Sequence, residues 1–293
     1  MKKFNVVLFF FVIQFQAVIA QHFIESDIWL ADIRIKEGNI YFGTAKNVTH
    51  SIGYDSQPFF MNDSTLLYTH IGEDLQADIY QYKSKSKACA KFTHTEESEY
   101  SAKLLPNRKG ISVVEVEQDS SQRIWSFDLN GNNGKVYVPN VDSVGYYVWL
   151  NDTSFAAFVL TEPPSLQLCN TSNNKTKTIA TNIGRCLQVS NFGNLYFTSL
   201  EKDSVRWLCR TEKDGAITKL IEFYKGVEDF VISNNNIVFC AKEGMIYYSD
   251  HQFNLGWRLC GNFGAMGVSN INRLALSPDN KSIAMVNIQE QKK

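Results

Sequence analysis

The feature that most constrains this chain is a polar turn between two β-rich runs, which recurs about every 40 to 45 residues. The turns use Asn, Asp, Gly or Pro, the residues that favour tight hairpin connections. Six copies occur, at Asn62-Asp63, Pro106-Asn107, Asn151-Asp152, Asn191-Phe192-Gly193, Asn234-Asn235 and Pro278-Asp279. A repeat of this length predicts a series of similar β units, each the size of one propeller blade.

A second kind of hairpin alternates with the first along the whole chain. Its leading strands start at Asp27, Asp78, Arg123, Ser165, Arg206 and Met245. Two hairpins for each repeat give four strands, which is the content of one propeller blade. We therefore predict an all-β fold, a six-bladed β-propeller of four-stranded blades.

The order of the hairpins predicts how such a ring closes. The chain starts with an outer hairpin near Asp27 and ends with an inner hairpin over residues 271–288. Neither hairpin has a partner next to it in sequence, so pairing the two completes the sixth blade and removes an open sheet edge. The alternative fold, a two-sheet sandwich, does not explain the strict alternation of twelve hairpins.

The last inner hairpin, "LALSPDNKSIAMV" (274–286), is similar to that of the TolB-like, WD40-like (PD40) propellers of exported bacterial proteins. The runs "DIYQYKSKSK" and "RIWSFDLNGNNGK" resemble the strand and turn that follow it in that family. Only the last repeat keeps Ser-Pro-Asp. The resemblance implies a six-bladed periplasmic propeller that binds proteins or ligands and is not itself an enzyme.

The first twenty residues have the pattern of a secretory signal peptide. Lys2 and Lys3 precede a short apolar run, and Val18-Ile19-Ala20 fits a cleavage site before Gln21. An uncleaved membrane anchor is the alternative, but the apolar run is short for a span. We expect a signal peptide over 1–20 and a single propeller domain over 21–293. No Cys follows the predicted cut, so we expect a periplasmic or secreted protein without a lipid anchor or a membrane span.

Composition and cysteine placement narrow the classes further. Lys and Arg total 29 against 30 Asp and Glu, and no basic stripe favours nucleic acid. The even number of six Cys permits a disulfide framework. Most of them lie in apolar strand-like runs, however, where a free Cys behaves as a small hydrophobe. Cys169 and Cys209 occupy matching positions in adjacent repeats, which we expect to be too far apart for a disulfide.

Motifs that carry catalytic chemistry are missing from the sequence. It has no G-x-S-x-G nucleophile elbow and no phosphate-binding P-loop. His94 lies beside Glu96, Glu97 and Glu99, where a metal site and a solvated polar loop are the two interpretations. We predict no catalytic residue, no cofactor and no resident metal.

The predicted ring places two sets of loops on one face, and carboxylates outnumber Lys and Arg in them. Ordinary solvation of loops is the alternative explanation of these charges. We expect the residues at the start of the innermost strands to surround the mouth of the central channel and to bind a partner. These candidate residues are Asp55, Glu96, Glu97, Glu99, Tyr100, Asp142, Tyr146, Arg185, Glu228 and Asp229.

Two classes of function remain after these observations. The first is a non-catalytic binding or scaffold propeller of the cell envelope, acting as a monomer. Its acidic loop face would take a cationic protein or peptide segment, or alternatively a divalent cation. The second is a small hydrolase or lyase acting on glycans, with paired carboxylates such as Glu97 and Asp142 at the channel mouth.

Overall fold

The computed structural model describes residues 24–212, 215–250, 253 and 255–289. The predicted signal peptide lies outside the described residues. The described part of the chain contains 25 strands and two single-turn 3-10 helices, Lys202–Ser204 and Gly264–Met266. Within that part, no helix has the length and apolar character needed to cross a membrane.

Three strands at the start of the chain belong to the blade that closes the ring. They are β1 (Ser26–Lys36), β2 (Asn39–Phe42) and β3 (Lys46–Asn47).

Five blades then follow along the chain, each an antiparallel sheet of four strands in sequence order. Blade 1 comprises β4 (Tyr54–Asn62), β5 (Thr65–Ile71), β6 (Ala77–Lys83) and β7 (Ala88–Lys91). Blade 2 comprises β8 (Ser98–Leu104), β9 (Gly110–Val116), β10 (Gln122–Asp128) and β11 (Lys135–Val138). Blade 3 comprises β12 (Val144–Asn151), β13 (Ser154–Val159), β14 (Ser165–Asn170) and β15 (Lys175–Thr181). Blade 4 comprises β16 (Ile183–Val189), β17 (Leu195–Leu200), β18 (Arg206–Thr211) and β19 (Ile217–Glu222). Blade 5 comprises β20 (Phe230–Ile232), β21 (Val238–Lys242), β22 (Met245–Ser249) and β23 (Arg258–Asn262).

Blade 6 joins the two ends of the chain and confirms the predicted closure. Its inner strands are β24 (Ile271–Leu276) and β25 (Ser282–Ile288). Strand β25 pairs antiparallel with β1 from Ser26↔Ile288 to Asp32↔Ser282. Between β1 and β4 the sheet is continuous through one parallel pair only, Ser26↔Tyr54, so the nine-stranded sheet that contains both is two blades. The fold is therefore the predicted six-bladed propeller.

The outer part of blade 6 differs from the other blades. Strand β1 runs on to Lys36 and returns as β2, with Lys36 opposite Asn39. The short strand β3 then pairs with β1 at Trp29 and Leu30. Two short segments thus replace the single outermost strand of an ordinary blade.

Burial explains why the second strand of each blade reads as a continuous apolar run. In β9 and β13 nearly every side chain is buried, because neighbouring blades cover both faces of the sheet. The outermost strands β7 and β15 are largely exposed. The apolar clusters consequently lie between blades, and one of them contains Tyr147 and Phe155.

The last Ser-Pro-Asp turn contacts the equivalent turns of both neighbouring blades. The backbone N–H of Asn234 donates to Asn280 Oδ1 at 2.9 Å, which ties blade 5 to blade 6. The N–H of Asp279 donates to Asp63 Oδ1 at 2.9 Å, which ties blade 6 to blade 1. The polar turn residues that define the sequence repeat thus also link adjacent blades where the ring closes.

The six cysteines are free thiols in this structure. Cys169 on β14 and Cys209 on β18 lie in matching strands of adjacent blades, and both are buried. Burial raises the pKa of Cys169 to about 12 and also raises that of Cys209.

Candidate functional site

Two sets of loops share one face of the ring, here called the loop face. One set joins the outermost strand of a blade to the innermost strand of the next, and the other joins the second and third strands within a blade. The loops of this face are 48–53, 92–97, 139–143, 182, 223–229, 263–270, 72–76, 117–121, 160–164, 201–205 and 243–244. The innermost strands β4, β8, β12, β16, β20 and β24 surround the central channel that opens on it.

Asp55 does not line the channel mouth, and its predicted exposure there is wrong. Its side chain is fully buried next to His70, with Asp55 Oδ1 2.6 Å from His70 Nδ1. Ser51 also donates a hydrogen bond to the carboxylate. Asp55 of β4 is the cross-strand partner of His70 of β5, so the two side chains lie together on one face of blade 1.

Glu99 is also buried. Like Asp55, it is the second residue of an innermost strand and lies beside its cross-strand partner. It lies directly opposite Glu115 of β9, and both residues are almost completely inaccessible to solvent. Thr93 Oγ1 donates to Glu99 Oε2 at 2.8 Å, and Thr95 donates to the other oxygen. Burial raises the pKa of Glu99 to about 8 and that of Glu115 to about 7. Glu99 is therefore a buried carboxyl group inside blade 2, and the expectation that it lies at the mouth of the channel is wrong.

Three other predicted carboxylates do lie on the surface of the loop face. Glu96 and Asp142 are exposed, and Glu97 is partly exposed. Gln118 Nε2 donates to Glu97 Oε1 at 3.4 Å, and the N–H of Gln122 donates to Asp142 Oδ1 at 2.8 Å.

These residues belong to an acidic arc, which we define as loops 72–76, 92–97, 117–121, 139–143 and 160–164. The five loops contain no Lys or Arg. Their carboxylates are Glu73, Asp74, Glu96, Glu97, Glu117, Asp119, Asp142 and Glu162. Glu117 forms an ion pair with Arg123. The arc covers blades 1 to 3 and leaves out blades 4 to 6.

The channel itself contains a different group of side chains, one from each blade. This channel cluster consists of Gln57, Lys103, Tyr146, Arg185, Asp229 and Arg273, in the order of blades 1 to 6. They line an inner cavity of about 60 Å³. Three of the six are cationic and one is a carboxylate, so the channel interior is cationic where an acidic one was expected.

Arg273 crosses the channel between two opposite blades. Its Nη2 donates to Tyr146 Oη at 2.8 Å, and the guanidinium carbon lies 5.1 Å from the centre of the Tyr146 ring. Its Nη1 is 3.8 Å from Asp229 Oδ2, and the N–H of Leu274 donates to Asp229 Oδ1 at 3.0 Å. Burial raises the pKa of Asp229, and the nearby Arg273 partly offsets that effect.

Arg185 and Glu228 lie at the mouth of the channel, as predicted. The backbone N–H of Arg185 donates to Glu228 Oε1 at 2.9 Å, and Arg206 Nη2 is 3.6 Å from Glu228 Oε2. Gly184 allows this approach, because a Cβ atom there would lie only 2.8 Å from Glu228 Oε1. A second cavity of about 260 Å³ opens beside Arg185, Glu228 and Asp229 and reaches the loop face.

Tyr100 is the remaining predicted residue, and it lies away from both cavities. Its ring is partly buried against the apolar cluster that contains Tyr147 and Phe155. Of the ten predicted residues, the structure places four in the cavities: Tyr146, Arg185, Glu228 and Asp229.

Lys103 and Arg273 line the channel but were not predicted. The predicted residues lie in the loops before the innermost strands or within the first three positions of those strands, whereas Lys103 is the sixth residue of β8. Arg273 in "INRLAL" occupies the third position of β24, as Arg185 occupies the third position of β16. This equivalence between the repeats of blades 4 and 6 is the signal that would have identified Arg273.

The channel offers no evident metal centre. Throughout residues 24–212, 215–250, 253 and 255–289, no group of three or more His, Cys, Asp or Glu side chains could hold a metal ion. The donors that converge in the channel are mostly positively charged nitrogen groups, which suit anions and carbonyl oxygens.

Comparisons of sequence found no relative. No protein-family model matches the chain, and a search of curated proteins found no match.

Comparison of structures identifies the fold as that of TolB-like propellers. A protein named as TolB from Agrobacterium tumefaciens superposes with a TM-score of 0.69 at 12% identity, over 91% of this chain and 99% of that one. TolB from Acinetobacter baumannii gives a TM-score of 0.54 at 10% identity over 90% of this chain, which spans 64% of that protein. A gluconolactonase from Xanthomonas campestris gives 0.63 at 6% identity, over 83% of this chain and 88% of that one. At these identities the likeness establishes the propeller fold.

Proposed function

We propose that this chain is a non-catalytic binding or scaffold propeller of the cell envelope. Residues 1–20 would export it, and it would act as a monomer in the periplasm or outside the cell. The TolB-like fold over nine-tenths of the chain supports this assignment, as does the repeat motif shared with exported bacterial propellers.

The observation that carries the proposal is the acidic arc. Its loops place eight carboxylates on three adjacent blades without a single Lys or Arg. Grouped charges of one sign attract a partner of the opposite sign, increase its rate of association and exclude partners of like charge. We infer that the partner presents a Lys- or Arg-rich protein segment to blades 1 to 3.

A single divalent cation is a weaker complement to the same surface. Asp142 accepts a backbone hydrogen bond from Gln122, Asp119 accepts one from Ser121, and Glu117 is paired with Arg123. These carboxylates are thus held apart by separate local contacts, whereas a calcium site needs several oxygens directed at one point.

The test uses a charge-neutral variant of the arc and a matched control. The variant is Glu96→Gln with Asp142→Asn, and the control is Glu37→Gln with Asp152→Asn, two exposed carboxylates in turns of the opposite face. The probe is a synthetic lysine-rich peptide, titrated by calorimetry at several salt concentrations. We expect the arc variant to bind about tenfold more weakly with a flatter salt dependence, while the control binds like the wild type.

Equal affinity and equal salt dependence in the arc variant and the wild type would show that the arc only keeps the protein soluble. Both variants should fold, since exposed carboxylates contribute little to stability. A thermal unfolding measurement on each variant checks this before the titrations.

An enzymatic role is the second candidate, and the structural likeness to a gluconolactonase favours it. The pair first considered for glycan cleavage, Glu97 and Asp142, lines neither channel cavity. Asp229 lines both, and it is the carboxylate on which a reaction in the channel would depend. We expect no hydrolysis of aldonolactones or glycosides above background. Turnover that is lost in Asp229→Asn but kept in Glu97→Gln would replace the binding proposal with an enzyme.

A further inference from the structure

The channel cluster contains two guanidinium groups with unused hydrogen-bond donors. Nε of Arg185 and Nε of Arg273 are both buried, and neither has a hydrogen-bond partner among the residues that the structure describes. Arg273 is only 7% exposed. A buried polar group without a partner is costly, and more so when it belongs to a charged side chain. These two Nε–H donors therefore lack an acceptor at the centre of the ring.

The charges of the side chains that line the inner cavity indicate that the missing hydrogen-bond acceptor is an anion. Lys103, Arg185 and Arg273 line it together with a single carboxylate, Asp229. Burial lowers the pKa of Lys103, and the positive charge of Arg273 lowers it further. An anion between these groups would offset their repulsion and supply the missing acceptor.

The size of the cavity and the position of Asp229 restrict the kind of anion. A volume of about 60 Å³ holds only a compact group, the size of a few water molecules. Arginine presents a planar fork that matches the two oxygens of a carboxylate. Asp229 offsets one of the three positive charges, and burial lowers the pKa of Lys103, so a singly charged carboxylate balances the remaining charge better than doubly charged phosphate.

The geometry points to a binding site in the central channel for a ligand that carries a carboxylate. The ligand's carboxylate lies between Arg185 and Arg273, with Lys103 deeper in the channel, and the rest of the ligand occupies the mouth cavity of about 260 Å³. Asp229 and Tyr146 act as positioning residues, because they hold the Arg273 guanidinium across the channel. This site uses other residues than the acidic arc, so it does not depend on the function proposed above.

The mouth cavity reaches the loop face, so two sources of carboxylate fit. One is a small organic acid, and the other is the C-terminal carboxylate of a polypeptide. Four probes distinguish them: acetate, succinate, a four-residue peptide with a free C-terminus and the same peptide amidated. Inorganic phosphate serves as the doubly charged comparison.

Binding is measured by calorimetry on the full mature chain, with Arg185→Gln as the first variant. Arg185 is partly exposed and makes its one assigned hydrogen bond through its backbone N–H, so the variant should fold normally. Arg108→Gln, an exposed arginine in a turn of the opposite face, is the matched control. We expect carboxylate probes to bind the wild type and the control alike, and Arg185→Gln to bind at least about tenfold more weakly.

A second variant, Tyr146→Phe, tests the positioning of Arg273 without removing a charge. It should weaken carboxylate binding but leave the number of carboxylates bound unchanged. Tighter binding of the free-terminus peptide than of acetate, with no binding of the amidated peptide, identifies a chain terminus as the source. Tighter binding of succinate than of the peptide identifies a small organic acid.

Three results would overturn the inference. They are no binding of any carboxylate at about 10 mM, unchanged binding in Arg185→Gln, and phosphate binding as tightly as the best carboxylate.

Discussion

Two glutamates that face each other in blade 2 should make the stability of the protein fall as the pH rises. Glu99 and Glu115 are cross-strand partners, and their exposed fractions are 0% and 1%. Burial raises the pKa of Glu99 from 4.5 to about 8, and that of Glu115 to about 7. Asp78 raises the pKa of Glu99 further, whereas Thr93 and Lys91 lower it.

The direction of the effect follows from proton binding. Above the ordinary carboxyl pKa of 4.5, the unfolded chain has lost these protons while the folded protein still holds them. Folded protein therefore binds more protons between pH 4.5 and 8, and the free energy of unfolding falls as the pH rises through this range. The stabilisation is complete below pH 4.5 and is lost as the pH passes through about 7 to 8.

The magnitude follows from the size of the pKa change at Glu99. At about 1.4 kcal/mol for each pKa unit, the rise from 4.5 to about 8 corresponds to on the order of 5 kcal/mol. The partner Glu115 titrates in the same range and shares this energy, so we expect a Glu99→Gln variant to recover on the order of 3 kcal/mol at pH 9 relative to pH 5. Glutamine keeps the shape of the side chain, and its Oε1 still accepts a hydrogen bond from one of the two threonines, Thr93 or Thr95.

The assay is urea unfolding followed by tryptophan fluorescence at pH 5, 7 and 9. Glu96→Gln is the control, because this exposed glutamate lies three residues away in the same segment. The difference in unfolding free energy between Glu99→Gln and the wild type should grow with pH, while that of the control stays constant. A difference that does not change between pH 5 and pH 9 would refute the assignment of a buried, protonated Glu99.

Two further predictions concern the closure of the ring and the thiols. Deleting everything after Val268 removes β24 and β25 and exposes the edges of β1 and β4. The truncated chain should therefore lose cooperative thermal unfolding. If it melts like the full chain, the closure of the ring by these strands is contradicted. When the unreduced, denatured protein is alkylated, mass spectrometry should find both Cys169 and Cys209 labelled, because matching strands of adjacent blades are separated by the packed core. A disulfide between Cys169 and Cys209 would contradict this prediction.

The architecture could be predicted from the sequence because its signals are local. A polar turn such as Asn151-Asp152 between two apolar runs specifies a hairpin without reference to the rest of the chain. Two alternating hairpin types then leave an unpaired outer hairpin at Asp27 and an unpaired inner one at 271–288, and only their pairing closes the sheet. The split outer strand of blade 6 was not predicted. The residues "EG" after Lys36 indicate a turn, but they do not specify that two separate segments, β2 and β3, pair with different parts of β1.

The candidate site was harder to predict because side-chain direction in the innermost strands depends on irregular backbone. Gln57 has a φ of 54° and Ser101 a φ of 56°, and the strand register shifts at both places. A bulge re-aims the side chains that follow it, so Lys103 points into the channel while Glu99, before the bulge, points into the blade. Neither bulge has a glycine to mark it in the sequence. Because the predicted positions were counted from the loops, Asp55 and Glu99 were wrongly expected at the channel mouth. Lys103 and Arg273 were left out for the same reason.

The acidic arc and the channel cluster should respond differently to salt, because their charges differ in exposure. The arc carboxylates Glu96 and Asp142 are exposed, and charges of that kind are screened over about 8 Å at physiological ionic strength. Arg273 is buried, and interactions of buried charges are screened much less. Binding of a lysine-rich peptide should accordingly weaken steeply with added salt, while binding of a carboxylate in the channel should weaken only slightly. One salt series measured with both probes therefore tests both sites. A steep salt dependence for both probes would show that the carboxylate binds on the surface. A shallow dependence for both would show that the peptide does not bind at the acidic arc.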